Sequence, residues 1–222
     1  LGCMRAYERL RQFGAADVPF KRYHRRQYLS VRWHVVMSHL TRRDFNIMEM
    51  VDRVGRSMGH RLSREQLIEL AWLWYEPLSE RARIEPGLPE MLAELAGHGL
   101  TLGIVSNTFL PGEVIDRQLA MLGLLEHLPV RVYSSRTRHR KPGRRIFHEA
   151  LRLAKLEPHE TIFVGDSVRN DVRGANRMGM ISVLKDPARQ ARLWLARPRF
   201  RIRALARLPR VVKHLQIGRA HV

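Results

Sequence analysis

The feature that most constrains the fold is a change of rhythm near residue 85. Before it every apolar pattern has a helical period; after it, short β-favouring runs alternate with helical ones. In order, the later part reads as a helix carrying Met91, Leu92 and Leu95 that ends at Gly97-His98-Gly99, a strand over 100–105, a helix over 114–122 and a strand over 130–133. A helix over 146–154, a strand over 161–164 and a helix over 172–178 follow, with further strand candidates at 181–184 and 200–202. Strands alternating with helices imply βαβ units and a parallel sheet.

The earlier part is helical throughout. Met4, Tyr7, Leu10 and Phe13 share one face, Tyr23, Gln27, Val31 and Val35 another, and Phe45, Met48, Val51 and Val54 a third. Ser63-Arg64-Glu65-Gln66 is a capping box opening a helix through Trp74. Trp33, Trp72 and Trp74 are expected in the core of this part, because large aromatic side chains gain most from burial. Glu85-Pro86-Gly87-Leu88-Pro89 punctuates the chain. The division expected is a helical domain over 5–84 and an α/β domain over 85–215. Residues 217–222, Ile217-Gly218-Arg219-Ala220-His221-Val222, resemble the translation of a sequencing-adapter read-through and are set aside as a non-native tail.

Three polar features stand where strands end. Ser106-Asn107 closes the strand over 100–105; Lys141-Pro142 lies in the loop after Tyr133; and Ile162-Phe163-Val164-Gly165-Asp166 runs into a second carboxylate, Asp171. In open α/β sheets the carboxyl ends of the strands are where ligands bind. A hydroxyl, an ammonium and two carboxylates suited to Mg²⁺ are what phosphoryl chemistry uses. Each has an ordinary reading too: Ser106 as a helix N-cap, Lys141 as surface, Asp171 as a charge favouring a helix N-terminus.

Bulk properties narrow the classes. With 222 residues the chain can bury a sizeable core. Its 40 Lys+Arg against 21 Asp+Glu give a formal charge of +19, densest around Arg136, Arg138, Arg140, Lys141, Arg144 and Arg145. Such a field favours phosphorylated substrates or polyanions. No nucleic-acid-binding motif accompanies it, so a nucleic-acid partner is not expected. One cysteine, Cys3, excludes an intramolecular disulfide and fits a reducing compartment; the expectation is a cytoplasmic protein with no membrane partner. The oligomeric state is left open.

In order and spacing these residues resemble the haloacid dehalogenase-like hydrolase superfamily, in particular its members with a helical cap. The resemblance implies an α/β fold with a Rossmann-like parallel sheet and an all-helical cap domain. It implies that Ser106 holds the transferring phosphoryl group with Asn107 beside it, and that Lys141 steadies the charge on nucleophile and phosphate. It also implies that Asp166 binds Mg²⁺ directly while Asp171 supports the metal or its waters. The activity implied is Mg²⁺-dependent hydrolysis of a small phosphomonoester through an aspartyl-phosphate.

One part of the family pattern is absent: the strand-end Asp-x-Asp whose first acid attacks phosphorus and whose second is general acid and base. Asp44-Phe45-Asn46 lacks the second acid and follows no strand, so it is rejected as a nucleophile. The expectation is an inactive fragment cut after that motif, missing the central strand between those ending at Ser106 and Asp166. The sheet should then show a slot there or be splinted by something else. A 2-haloacid dehalogenase or a phosphomutase would share the fold; a non-catalytic module holding a polyanion is the alternative of another class. Tyr23, His24, Arg25 and Arg26 are candidates for substrate selection, against the reading of a solvated helix face.

Overall fold

The structure, a computed structural model, describes residues 1–14, 18–41, 44–56, 61–189, 191–192 and 194–217. Its helices and strands in chain order are α1 (Gly2–Gln12), α2 (Phe20–Thr41), α3 (Ile47–Arg56), α4 (Arg64–Ser79), α5 (Leu88–Gly97), β1 (Gly103–Ser106) and α6 (Gly112–Met121). Then come β2 (Val130–Tyr133), α7 (Ser134–Thr137), α8 (Arg144–Ala154), β3 (Ile162–Gly165), α9 (Arg173–Met178), β4 (Ile181–Lys185), β5 (Phe200–Ile202) and α10 (Leu208–Ile217). This is the α/β architecture with a parallel sheet and an all-helical part that the alternation of periods predicts. Of the suspected tail, Ile217 closes α10 and residues 218–222 lie outside the described residues, as does the side chain of Val54.

Two compact units make up the chain. The first comprises Leu1–Arg83, Asn107–Leu122 and Tyr133–Arg140; the second takes Ile84–Ser106, Gly123–Val132 and the chain from Lys141 onward. The first unit is a helical bundle. Its α1 and α4 approach so closely that a Cβ on Gly2 would lie 2.2 Å from the carbonyl oxygen of Trp74, leaving no room for a side chain. Ala6, Tyr7, Leu10, Tyr23 and Leu70 form one core, and Ile47, Met50, Ala71, Trp72, Leu110 and Val114 a second. The capping box forms as read: the Ser63 N–H donates to Gln66 Oε1 (2.8 Å) and the Gln66 N–H to Ser63 Oγ (3.2 Å).

Trp33 corrects the sequence expectation. It is 64% exposed, while Trp72 is 3% exposed and Trp74 packs partly buried against the first core. The reason lies in α2, which has apolar residues on two faces. Tyr23 and Gln27 point inward, and Leu29, Trp33, Val36 and Leu40 are left outside.

In the second unit β3, β4 and β5 form a parallel sheet, with Ile162 opposite Ile181 and Val183 opposite Phe200. The side chains of Ile146, Phe147, Val183 and Leu184 are fully buried, which is why these short strands need so few residues. Phe147 meets Phe163 edge to face at 4.9 Å between centroids. The strand expected over 100–105 begins only at Gly103, because the Leu100 N–H still bonds the carbonyl of Leu95 at the end of α5.

The sheet is in two pieces. β1 pairs with β2, β3 heads the other sheet, and among the described residues nothing pairs β1 with β3. Between them lies an apolar cavity of about 320 Å³, walled by Ile104 and Val105 on one side, Ile162 and Val164 on the other, and floored by Met91 and Leu95 of α5. A slot between these two strands is what the sequence reading expects.

Candidate active site

The site is built around a glycine. A Cβ on Gly165 would lie 2.4 Å from both Cβ and Cγ of Asp171, so glycine here is what lets the Asp171 side chain fold back against the end of β3. The turn that brings it back is a π-turn, Val168–Val172, one residue wider than an α-turn. The Ser167 carbonyl accepts from the N–H groups of both Asp171 (2.8 Å) and Val172 (3.2 Å). Ser167 Oγ accepts from the Asn170 N–H at 3.1 Å, and Asp171 Oδ2 accepts from the Ser167 N–H at 3.0 Å. Asp171, 5% exposed, is thereby locked in place.

Lys141 joins the strand ends. Its Nζ donates to the Val105 carbonyl at 2.7 Å, approaches Asp171 Oδ1 at 2.8 Å and lies 5.4 Å from the centre of the Phe163 ring. Val105 belongs to β1 and Phe163 to β3, so one ammonium spans the mouth of the slot. Its side chain is 14% exposed and that of Asp171 6%, a pair largely out of water, where loss of either charge strands the other. Ser106, half-buried, follows Val105 directly, and Asp166, exposed, stands where β3 ends.

Two carboxylates, Asp166 and Asp171, stand just beyond the end of β3. Asp171 Oδ1 is buried and has no aligned hydrogen bond, being held by the nearby charge of Lys141 alone. Asp166, five residues earlier, is an exposed carboxylate. Among the described residues no three His, Cys, Asp or Glu side chains gather to hold a metal. Mg²⁺ does not ask for that, taking one or two protein carboxylates and completing its shell with water and substrate oxygens.

Of the five residues singled out in sequence, Ser106, Lys141, Asp166 and Asp171 lie in the second unit, and Asn107 falls in the first. Sequence reading missed the work done by Asp44. Its side chain is 1% exposed, accepts from Ser134 Oγ at 2.5 Å and lies 3.6 Å from Arg140, whose guanidinium also donates to Ser38 Oγ at 2.6 Å. Ser134 Oγ in turn accepts from the Thr108 N–H at 2.8 Å. Arg138 pairs with Glu49 in the same unit. Part of the basic loop is thus neutralised from within. The available signal was the Ser134-Ser135 pair directly after a strand, a common start for a helix. Of the selection candidates, Tyr23 is buried, while His24, Arg25 and Arg26 are exposed.

The haloacid dehalogenase-like hydrolase family matches residues 43–185. The chain is 41% identical over 90 residues to a haloacid dehalogenase-like hydrolase domain-containing protein 3 of Bos taurus, covering 39% of this chain and 33% of that protein. It is 34% identical over 100 residues to a glyceraldehyde 3-phosphate phosphatase of Methanopyrus kandleri, covering 44% and 41%. The chain spans about a third to a half of the curated relatives it matches. Among solved structures, a 2-haloacid dehalogenase from Pseudomonas syringae superposes with a TM-score of 0.62 at 22% identity over 96% of this chain and 92% of that one. A HAD phosphatase from Thermococcus onnurineus gives 0.57 at 23% over 95% and 87%. With the family match covering more than half of its length, the chain belongs to the haloacid dehalogenase-like hydrolases.

Proposed function

We propose that the chain carries the phosphate-holding and metal-binding part of a Mg²⁺-dependent phosphomonoester hydrolase. The observation that carries this reading is Lys141, which bridges the Val105 carbonyl and the Asp171 carboxylate over the slot. Lys141 would neutralise the charge of a phosphoryl group seated there, and the Ser106 hydroxyl, one residue from Val105, would donate to one of its oxygens. Asp166 would hold Mg²⁺ directly and Asp171 would back it, with Gly165 and the π-turn fixing both. When bound, Mg²⁺ would supply charge neutralisation at the phosphoryl oxygens. Asn107 is proposed to add an amide donor for the phosphate.

The attacking carboxylate would come from a strand that fills the slot, placing its carboxyl end at Lys141. In the resemblance that strand ends in Asp-x-Asp: the first acid displaces the alcohol from phosphorus, the second gives the leaving oxygen a proton and then takes one from the hydrolysing water. The chain without such a strand would bind but not turn over. Phosphatases among the relatives support a phosphate substrate, and the paired Asp166 and Asp171 favour it over a haloacid, whose hydrolysis needs no metal. The internal pairing of Arg138 and Arg140 weakens the polyanion-binding reading.

The test is to join the chain to an upstream strand ending in Asp-x-Asp and to assay a panel of phosphate monoesters, with chloroacetate as the dehalogenase control. Hydrolysis should require Mg²⁺ and fall by about a hundredfold or more in Asp166→Ala, as when one stabilising charge is removed from a phosphoryl site. Activity surviving both chelation and that substitution refutes the assignment.

A further inference from the structure

The helical unit contains a cavity walled by its own residues. It has a volume of about 140 Å³ and takes wall residues from all four of α1–α4, including Ala6, Gln27, Val31, Ile47, Ala71 and Trp74. The walls are mostly apolar, and one polar group among them is out of place. Gln27 is 8% exposed, and among the described residues its buried Nε2 has no well-aligned hydrogen bond, only the Tyr23 phenol near it. Tyr23, 5% exposed, shares the wall; burial pushes its phenol above the ordinary tyrosine range, reinforced by the charge of Cys3 and opposed by the Gln27 amide beside it. With one amide N–H directed at the phenol, the second N–H of Gln27 Nε2 is left to spare. At the rim, His24 and Tyr28 stack with centroids 6.3 Å apart, and Tyr28 is 52% exposed, so the cavity is reached from solvent.

A cavity of about 150 Å³ is large enough to accept a ring the size of benzene. A buried amide donor without an acceptor costs free energy that a ligand oxygen or nitrogen recovers. We propose that this cavity is a binding site for a small, neutral, monocyclic aromatic ligand bearing one hydrogen-bond acceptor, which takes the bond from Gln27 Nε2. A charged ligand is disfavoured, because no Asp, Glu, Lys or Arg side chain lies in the wall to offset its desolvation.

The experiment titrates the chain as it stands with 4-fluorophenol and with fluorobenzene, followed by ¹⁹F NMR and by melting temperature. Both should bind, 4-fluorophenol about tenfold more tightly, as one recovered hydrogen bond implies. Gln27→Leu should remove that preference and leave fluorobenzene binding in place. Ala71→Leu and, from a different helix, Val31→Phe should fill the cavity and abolish both; two variants ensure that one failing to fold leaves a result. Failure of the wild-type chain to bind either probe, as when a single water satisfies Gln27, overturns the proposal. So does unchanged binding in a filled variant that melts like the wild type. No outcome depends on phosphatase activity, so this site and the hydrolase site stand or fall separately.

Discussion

Gly165 and Lys141 decide whether Asp171 can do anything. In Gly165→Ala the new Cβ would sit 2.4 Å from the Asp171 side chain, so the carboxylate must leave its place. The loss expected is about 1–3 kcal/mol, the usual cost of overpacking, read as a lower urea midpoint. Mn²⁺ relaxation of solvent water should report weaker metal binding in the same variant. Lys141→Met strands a carboxylate whose side chain is 6% exposed, for which about 3–5 kcal/mol is expected. Adding Asp171→Asn should recover part of that loss. Equal stability of the single and double variants would show that the pair is not what Lys141 contributes. The spacing of Gly165, Asp166 and Asp171 was legible in the sequence, but the π-turn was not. Residues 168–171 carry no apolar periodicity, and a helical pattern resumes only at Val172.

Caps and faces belong to the scale of elements. Ser63→Ala removes the acceptor for the Gln66 N–H at the start of α4 and should cost about 1 kcal/mol by thermal or chemical denaturation. Trp33→Ser should change stability by less than about 0.5 kcal/mol, since Trp33 is 64% exposed, whereas Trp72→Ala should cost about 3–5 kcal/mol. The same experiment on two tryptophans thus separates periodicity from burial. Glu85 ties β4 to the chain before α5: it pairs with Lys185 and accepts from the Leu205 N–H at 2.7 Å. The hydrogen bond from Lys185 holds its carboxyl below the ordinary glutamate range, with the Leu205 N–H adding to the effect and burial opposing it. A carboxylate depressed on folding stabilises the protein above its unfolded pKa, and that contribution is lost as pH falls through the lower folded value. Glu85→Gln should therefore flatten the acid limb of a stability–pH profile in that window and leave the neutral-to-alkaline limb parallel to the wild type.

For the whole molecule, the divided sheet is the decisive feature. Among the described residues, β1 and β3 each turn an unpaired edge to a cavity of about 320 Å³. Backbone groups without a ladder partner exchange readily. The β1 amides on the slot side should exchange faster than those paired with β2, and the β3 amides facing the slot faster than those facing β4; joining an upstream strand should protect both. Uniform protection in the chain alone would mean that the slot closes in solution.

The sequence by itself determined the alternation that makes the second unit α/β, the capping box, and the hydroxyl, ammonium and two carboxylates placed at successive strand ends. These are local properties, written in periods of two and 3.6 and in residue types that break them. The tertiary structure decided that Lys141 reaches the Val105 carbonyl and Asp171, that Asp44 is spent on Ser134 and Arg140, that Trp33 faces solvent and that Gln27 is left with a spare donor in a cavity. Each of these depends on groups far apart in the chain meeting within a few ångströms, and no local pattern carries that distance.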